Sequence, residues 1–139
     1  MFKFIAKIIS LFLLALSVSL DSGGNLTGEG AHTFYFYSKS SSAKMITLSY
    51  EQAKDFIYFK NQLKGESVVF YDCKKAKDLL AGLNAKLVFK EKGEDFDCEY
   101  YYSPQISNAI YLNGKRINLH FCYSKERVVV GSPLVFGSF

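Results

Sequence analysis

Tryptophan is absent from these 139 residues, cysteine occurs only three times, and lysine plus arginine exceed aspartate plus glutamate by 17 to 13. Each shortage excludes something. No Cys-x-x-Cys pair and no His/Cys cluster at ligand spacing is present, so neither a zinc site nor any other metal or cofactor is expected. No apolar run reaches the length of about 20 residues that a membrane-spanning helix needs. No cysteine lies near residues 17–20, which argues against a lipoprotein anchor. A length that leaves about 110 ordered residues suits one domain with one core.

What is present begins at the N-terminus. Lys3 and Lys7 lead into Ile8, Ile9, Leu11, Phe12, Leu13, Leu14, Ala15 and Leu16, followed by the small residues Ser17 and Ser19. A short basic end, an apolar stretch of about 12 residues and small residues at the cut are the marks of a secretory signal peptide. Residues 1–19 are therefore expected to be a signal peptide, cut after Ser19 or Ser17, and the protein to be secreted or held at the outer face of the cell envelope. Left uncut, the same helix is its contact with the membrane.

Lys3 and Lys7 leave with that segment and no acid does, so 15 basic residues face 13 acidic ones and the mature charge is +2. Nucleic-acid binding needs a basic footprint for phosphate. Here Lys90-Glu91-Lys92-Gly93-Glu94-Asp95 alternates instead, and no nucleic-acid partner is expected.

Residues 20–30 carry four glycines and little to bury, which reads as a flexible leader, and the single domain is expected over 31–139. His32 to Ser38 and Lys44 to Leu48 read as a hairpin around a turn at Lys39 and Ser40 to Ser42. Ser49 and Gln52 fit a capping box, and Ala53, Phe56, Ile57, Lys60 and Leu63 recur at helical spacing, so a helix is predicted over Tyr50 to Leu63. The run Phe56 to Phe59 also suits a strand. Ser67 to Tyr71 reads as a strand, and Asp72 caps a helix over Cys73 to Leu83 whose apolar face is Ala76, Leu79, Leu80 and Leu83.

An antiparallel meander is predicted for the rest: Lys86 to Glu91, Asp97 to Ser103, Ala109 to Leu112, Arg116 to Tyr123 and Arg127 to Val130. Asn113-Gly114 suits a tight hairpin turn and Lys125-Glu126 another reversal. Aromatic strands end in serine at Phe36-Tyr37-Ser38, Tyr101-Tyr102-Ser103 and Cys122-Tyr123-Ser124, where a hydroxyl can bond the backbone two residues on. The tail from Gly131 to Phe139 is apolar and is expected to pack, completing the sheet or covering one end. The fold class is α+β, a curved antiparallel sheet with one or two helices on one face.

Alternation along Ile117 to Cys122 places Asn118, His120 and Cys122 on one face. Cys122 and His120 could act as nucleophile and base with Asn118 orienting the ring, but side chains two apart on a strand stand roughly 7 Å from each other, too far for that hydrogen bond. Cys98 and Cys122 both fall on predicted strands. They can form a cross-strand disulfide, or all three cysteines, Cys73 included, can be small buried apolar residues. Ten tyrosines and thirteen phenylalanines leave some tyrosine exposed, and exposed tyrosine anchors partners. Tyr100, Tyr102, Asn118 and His120 are the candidate contact residues.

Three segments resemble a known family: Tyr100-Tyr101-Tyr102-Ser103-Pro104, Leu112-Asn113-Gly114-Lys115-Arg116-Ile117-Asn118-Leu119-His120, and Val130-Gly131-Ser132-Pro133-Leu134-Val135-Phe136-Gly137-Ser138-Phe139. They are similar to the YwmB-like family. That resemblance implies an exported or envelope-associated protein of Gram-positive type with a TATA-box-binding-protein-like fold, and it carries no established activity. The expected function is a non-enzymatic module that binds a protein or cell-wall partner at the envelope through its sheet or sheet edge. The alternatives are a hydrolase or thiol enzyme using Cys122 or His120, and a purely structural envelope component.

Overall fold

Strands dominate after residue 30 because β-branched and aromatic residues are frequent there. The computed structural model describes residues 1–37 and 44–135. Its first element, α1 (Phe2–Ser19), exposes Phe2, Phe4, Phe12 and Leu13, and none of its described side chains joins the core. Among the described residues, no helix is long and apolar enough to cross a membrane.

Residues 20–30, expected as a flexible leader, are instead packed onto the domain. β1 (Leu20–Ser22) pairs antiparallel with β4 (Ile57–Phe59), and Leu26 is fully buried. One apolar side chain and a strand partner far along the chain were enough to fix a glycine-rich segment.

β2 (His32–Phe36) and β3 (Lys44–Leu48) form the expected hairpin, while its serine turn lies outside the described residues. Ser49 and Gln52 do make the capping box, but α2 (Tyr50–Lys54) stops after five residues. The predicted helix to Leu63 gives way to β4, one turn of 3₁₀ helix at Lys60–Gln62, and β5 (Leu63–Phe70). Pairing with β1 outweighs helical spacing here, since Phe56 and Tyr58 reach Phe34 only from an extended chain. β5 is also longer than the predicted Ser67 to Tyr71.

α3 (Cys73–Gly82) follows as expected. Asp72 accepts from the Lys74 amide at 2.9 Å, a cap worth about 1 kcal/mol. The helix carries the chain from β5 to the far edge, where β6 (Lys86–Lys92) and β7 (Asp97–Tyr102) form a hairpin. β8 (Ile110–Leu112) and β9 (Lys115–Ile117) make a small separate ribbon. Asn113 and Gly114, at φ of 52° and 74°, form its positive-φ turn. The predicted strand Arg116 to Tyr123 is thus split at Asn118, where β10 (Leu119–Tyr123) begins. β11 (Val128–Ser132) ends the chain's regular structure.

The main sheet has seven strands in the order β3-β2-β5-β11-β10-β7-β6, every neighbouring pair antiparallel. The fold is α+β, with a large antiparallel sheet and helices packed against it. Val68, Phe70, Leu119, Phe121, Val128 and Val130 face Ala76 and Leu80 of α3 and form the principal core. A second cluster of Phe34, Ala53 and Tyr58 lies under α2.

Serine closes two of the aromatic strands as expected. The Gln105 amide donates to Ser103 Oγ at 3.2 Å and the Glu126 amide to Ser124 Oγ at 3.3 Å, two residues on in each case. The third such position, Ser38, lies outside the described residues.

A candidate functional site around the Cys98–Cys122 bridge

Alternation along β10 turns Leu119 and Phe121 toward α3 and leaves His120 and Cys122 on the opposite face. Register with β7 sets Cys122 opposite Cys98 and His120 opposite Tyr100. Cys98 and Cys122 are joined by a disulfide with 4.2 Å between their Cα atoms. Cys73, at the start of α3, is a free, exposed thiol. Of the two sequence-based alternatives for the cysteines, the buried-thiol one is therefore overturned: two form a bridge and the third is on the surface.

Next to the bridge is a stack of three rings drawn from three adjacent strands. Phe89 of β6 lies 4.3 Å from Tyr100, and Tyr100 lies 4.4 Å from His120, both pairs within 15° of parallel (14° and 11°). The Tyr100 hydroxyl donates to Glu91 at 2.9 Å, and burial first, then that carboxylate, pushes its pKa up to about 12. The stack holds the His120 ring, whose Nε2 is 2.9 Å from Cys122 Sγ.

That contact corrects the sequence-based distance. Stems two residues apart do stand roughly 7 Å from each other. The imidazole, held by Tyr100 and the tail, spans the gap. Asn118 does not orient it. Instead the chain after β11 folds back over Gly131, where an added Cβ would lie 2.6 Å from the Val135 nitrogen, and the Val135 amide donates to His120 Nδ1 at 3.0 Å. The tail therefore covers this face of the sheet, as far as the described residues extend.

An acceptor at Nδ1 places the ring proton on Nε2, aimed at sulfur. Burial pushes the His120 pKa down to about 4, so the ring is neutral at pH 7. Cys98, His120 and Cys122 bring their ligand-type atoms within 4.8 Å of one another. They do not suit a metal ion, because the two sulfurs are bonded to each other and Nε2 carries the proton. Nor is Cys122 a free nucleophile while the bridge is closed.

Of the four candidate contact residues, only Tyr100 and His120 come together, and they are 6% and 7% exposed. Asn118 is 0% exposed. Its Oδ1 accepts from the Ser103 amide at 2.7 Å, and its Nδ2 donates to the Ser103 and Ile106 carbonyls at 2.7 and 2.8 Å. It uses its hydrogen-bonding capacity to hold the 103–106 loop. Tyr102 is half-buried with the Arg116 guanidinium 5.1 Å from its ring centre. These residues shape the sheet; three of the four have almost no surface with which to touch a partner.

Two features escaped sequence reasoning. Cys98 belongs with His120 only through the β7–β10 register, which no local pattern encodes. Glu66 on β5 is 2% exposed, and its Oε1 accepts from the Asn25 amide at 2.6 Å while Oε2 has no hydrogen-bond partner. Burial pushes its carboxyl up to about 7. A Cβ on Gly24 would meet that oxygen, so a larger residue where residues 20–30 cross it would force the Glu66 carboxylate to shift.

Fold and site together define an α+β domain with an antiparallel seven-stranded sheet and a cross-strand disulfide facing a buried neutral histidine. Compared with known proteins, the chain matches no family model, no curated protein and no solved structure.

Proposed function

We propose that the protein is an exported, non-enzymatic binding module of the cell envelope that engages an extended segment of a partner protein along β3. The difference between the two sheet edges carries this reading. β6 is guarded by exposed Lys86, Lys90, Glu91 and Lys92 and by a register shift between Leu87 and Phe89, features that discourage strand addition. β3, Lys44-Met45-Ile46-Thr47-Leu48, has one charge, and Met45 is 60% exposed. Among the described residues no strand pairs with the outer side of β3, and such an edge offers backbone donors and acceptors to an extended peptide.

Export is part of the same proposal. The apolar helix α1 contributes nothing to the core, and the folded domain begins at Leu20, next to the expected cut. A cross-strand disulfide suits an oxidising compartment. The YwmB-like resemblance belongs here too, since helices on an antiparallel sheet are compatible with the architecture it implies. Tyr100, Asn118 and His120 are buried and take no part in the contact along β3.

Photo-crosslinking in intact cells tests the edge. With a photoreactive residue at Thr47 of the full chain, one dominant adduct is expected. Adding Met45→Asp should reduce its yield about tenfold while leaving stability within about 0.5 kcal/mol, since Met45 is exposed. An adduct that survives Met45→Asp unchanged, or no adduct above background, contradicts edge binding.

A further inference from the structure

We propose that the Cys98–Cys122 bridge is a thiol–disulfide exchange site, attacked by a dithiol at Cys98 with Cys122 as the leaving sulfur. This stands independently of the edge reading. Three observations assign the direction.

The first is access. Cys122 is 1% exposed, whereas Cys98 is half-buried and opens into a groove of about 360 Å³ formed by the β6–β7 turn, with Glu91, Lys92, Glu94, Asp95 and Phe96 around it. Of the two bridged cysteines, Cys98 is the one that lines a groove open to an external thiolate.

The second is the leaving group. Exchange is faster when the departing sulfur is better stabilised as a thiolate. A thiolate on buried Cys122 would be costly without a donor. His120 Nε2 lies 2.9 Å from that sulfur, and the Val135 amide on Nδ1 fixes its proton there. The donor is already in place before the bond breaks.

The third is support. Tyr100, itself backed by Phe89, stacks on one face of the ring, and the Val135 amide holds its Nδ1. His120 is accordingly a positioning and stabilising group for the sulfur, held on rigid strands.

The step balances as follows. One thiolate of the dithiol bonds to Cys98 Sγ; the Cys98–Cys122 bond breaks and its electron pair goes to Cys122 Sγ, which keeps the hydrogen bond from His120. The dithiol's second thiolate then attacks its own sulfur in the mixed disulfide and releases Cys98 as a thiolate. The bridge gains two electrons, the dithiol becomes a disulfide, and its two protons pass to the cysteines through water. The acids around the groove bias the choice of reductant: a cationic or neutral thiol approaches more readily than an anionic one.

The test uses the oxidised full chain at pH 7 without denaturant. Limiting cysteamine, a cationic monothiol, should give a mixed disulfide that peptide mass mapping places on Cys98. Dithiothreitol should open the bridge fully, and His120→Phe, which keeps a stacked ring and loses the N–H, should slow that opening about tenfold. Glutathione should react more slowly than cysteamine, relative to their rates on an uncharged small disulfide. A bridge that opens only after urea is added, or an adduct mapped to Cys122, overturns the proposal. So does an unchanged rate in a folded His120→Phe. If that variant does not fold, the adduct position in the unaltered protein decides.

Discussion

Asn118→Ala lowers the unfolding free energy by about 3–5 kcal/mol. The change strands two buried backbone groups, the Ser103 amide and the Ile106 carbonyl, and takes one of two donors from the Ser103 carbonyl, which still accepts from the Ile106 amide at 3.4 Å. Each unsatisfied buried group costs about 1–3 kcal/mol, partly recovered where water enters. Part of a loop is lost with them, because Ile106 is a core residue and Asn118 is what draws its carbonyl inward. Urea unfolding of the variant measures the effect. A loss below about 0.5 kcal/mol, the size usual for a surface substitution, would contradict the role of Asn118 in holding the 103–106 loop.

The pH dependence of stability is the second large effect, and it arises from two buried groups of opposite sign. His120 has its pKa lowered to about 4 by burial, against 6.5 when free. The unfolded chain binds its proton first, so stability from this group is present above pH 6.5 and is lost as pH falls toward 4. Glu66 has its pKa raised to about 7 by burial, against 4.5. The folded chain keeps that proton longer, so stability from Glu66 is present below pH 4.5 and is lost as pH rises through 7. Each amounts to about 3 kcal/mol over its range. Between about pH 4.5 and 6.5 the two slopes oppose each other, and little net change comes from this pair.

Glu66→Gln separates them. The variant cannot ionise, so its stability relative to the unaltered protein should climb by about 3 kcal/mol between pH 4.5 and 7. Chemical unfolding at half-unit pH steps checks this. A difference that stays constant across that range would mean that the Glu66 carboxylate is ionised at little cost, and that the packing of residues 20–30 over it is looser than described.

Local chemistry was legible in the sequence, and pairing between distant segments was not. Asp72 as a cap, Ser49 with Gln52, Asn113-Gly114 as a turn, and Ser103 and Ser124 bonding two residues on all depend on neighbours in the chain. The helix predicted to Leu63 failed because β4 finds its partner in β1, within a segment whose four glycines suggested a flexible leader. The order of the sheet was equally hidden, since β5 pairs with β11 across more than fifty intervening residues.

The site was half legible. Alternation on Leu119 to Cys122 put His120 and Cys122 on one face, and that holds. Asn118 falls outside the alternation because β10 begins only at Leu119, after a break that redirects its side chain to the 103–106 loop. The His120–Cys122 contact was missed because stem spacing ignores how far the ring reaches. Tyr100, which looked like part of a contact surface, turned out to pack against a histidine, while Tyr102 lies half-buried beside Arg116.

Mass analysis of the protein recovered from producing cells, alkylated without reduction, tests the central claim of an exported, disulfide-closed domain most directly. The expected result is a chain that begins at Leu20 or Val18, with one alkyl group on Cys73 and Cys98 still joined to Cys122. A chain that retains residues 1–19 and takes up three alkyl groups would contradict it.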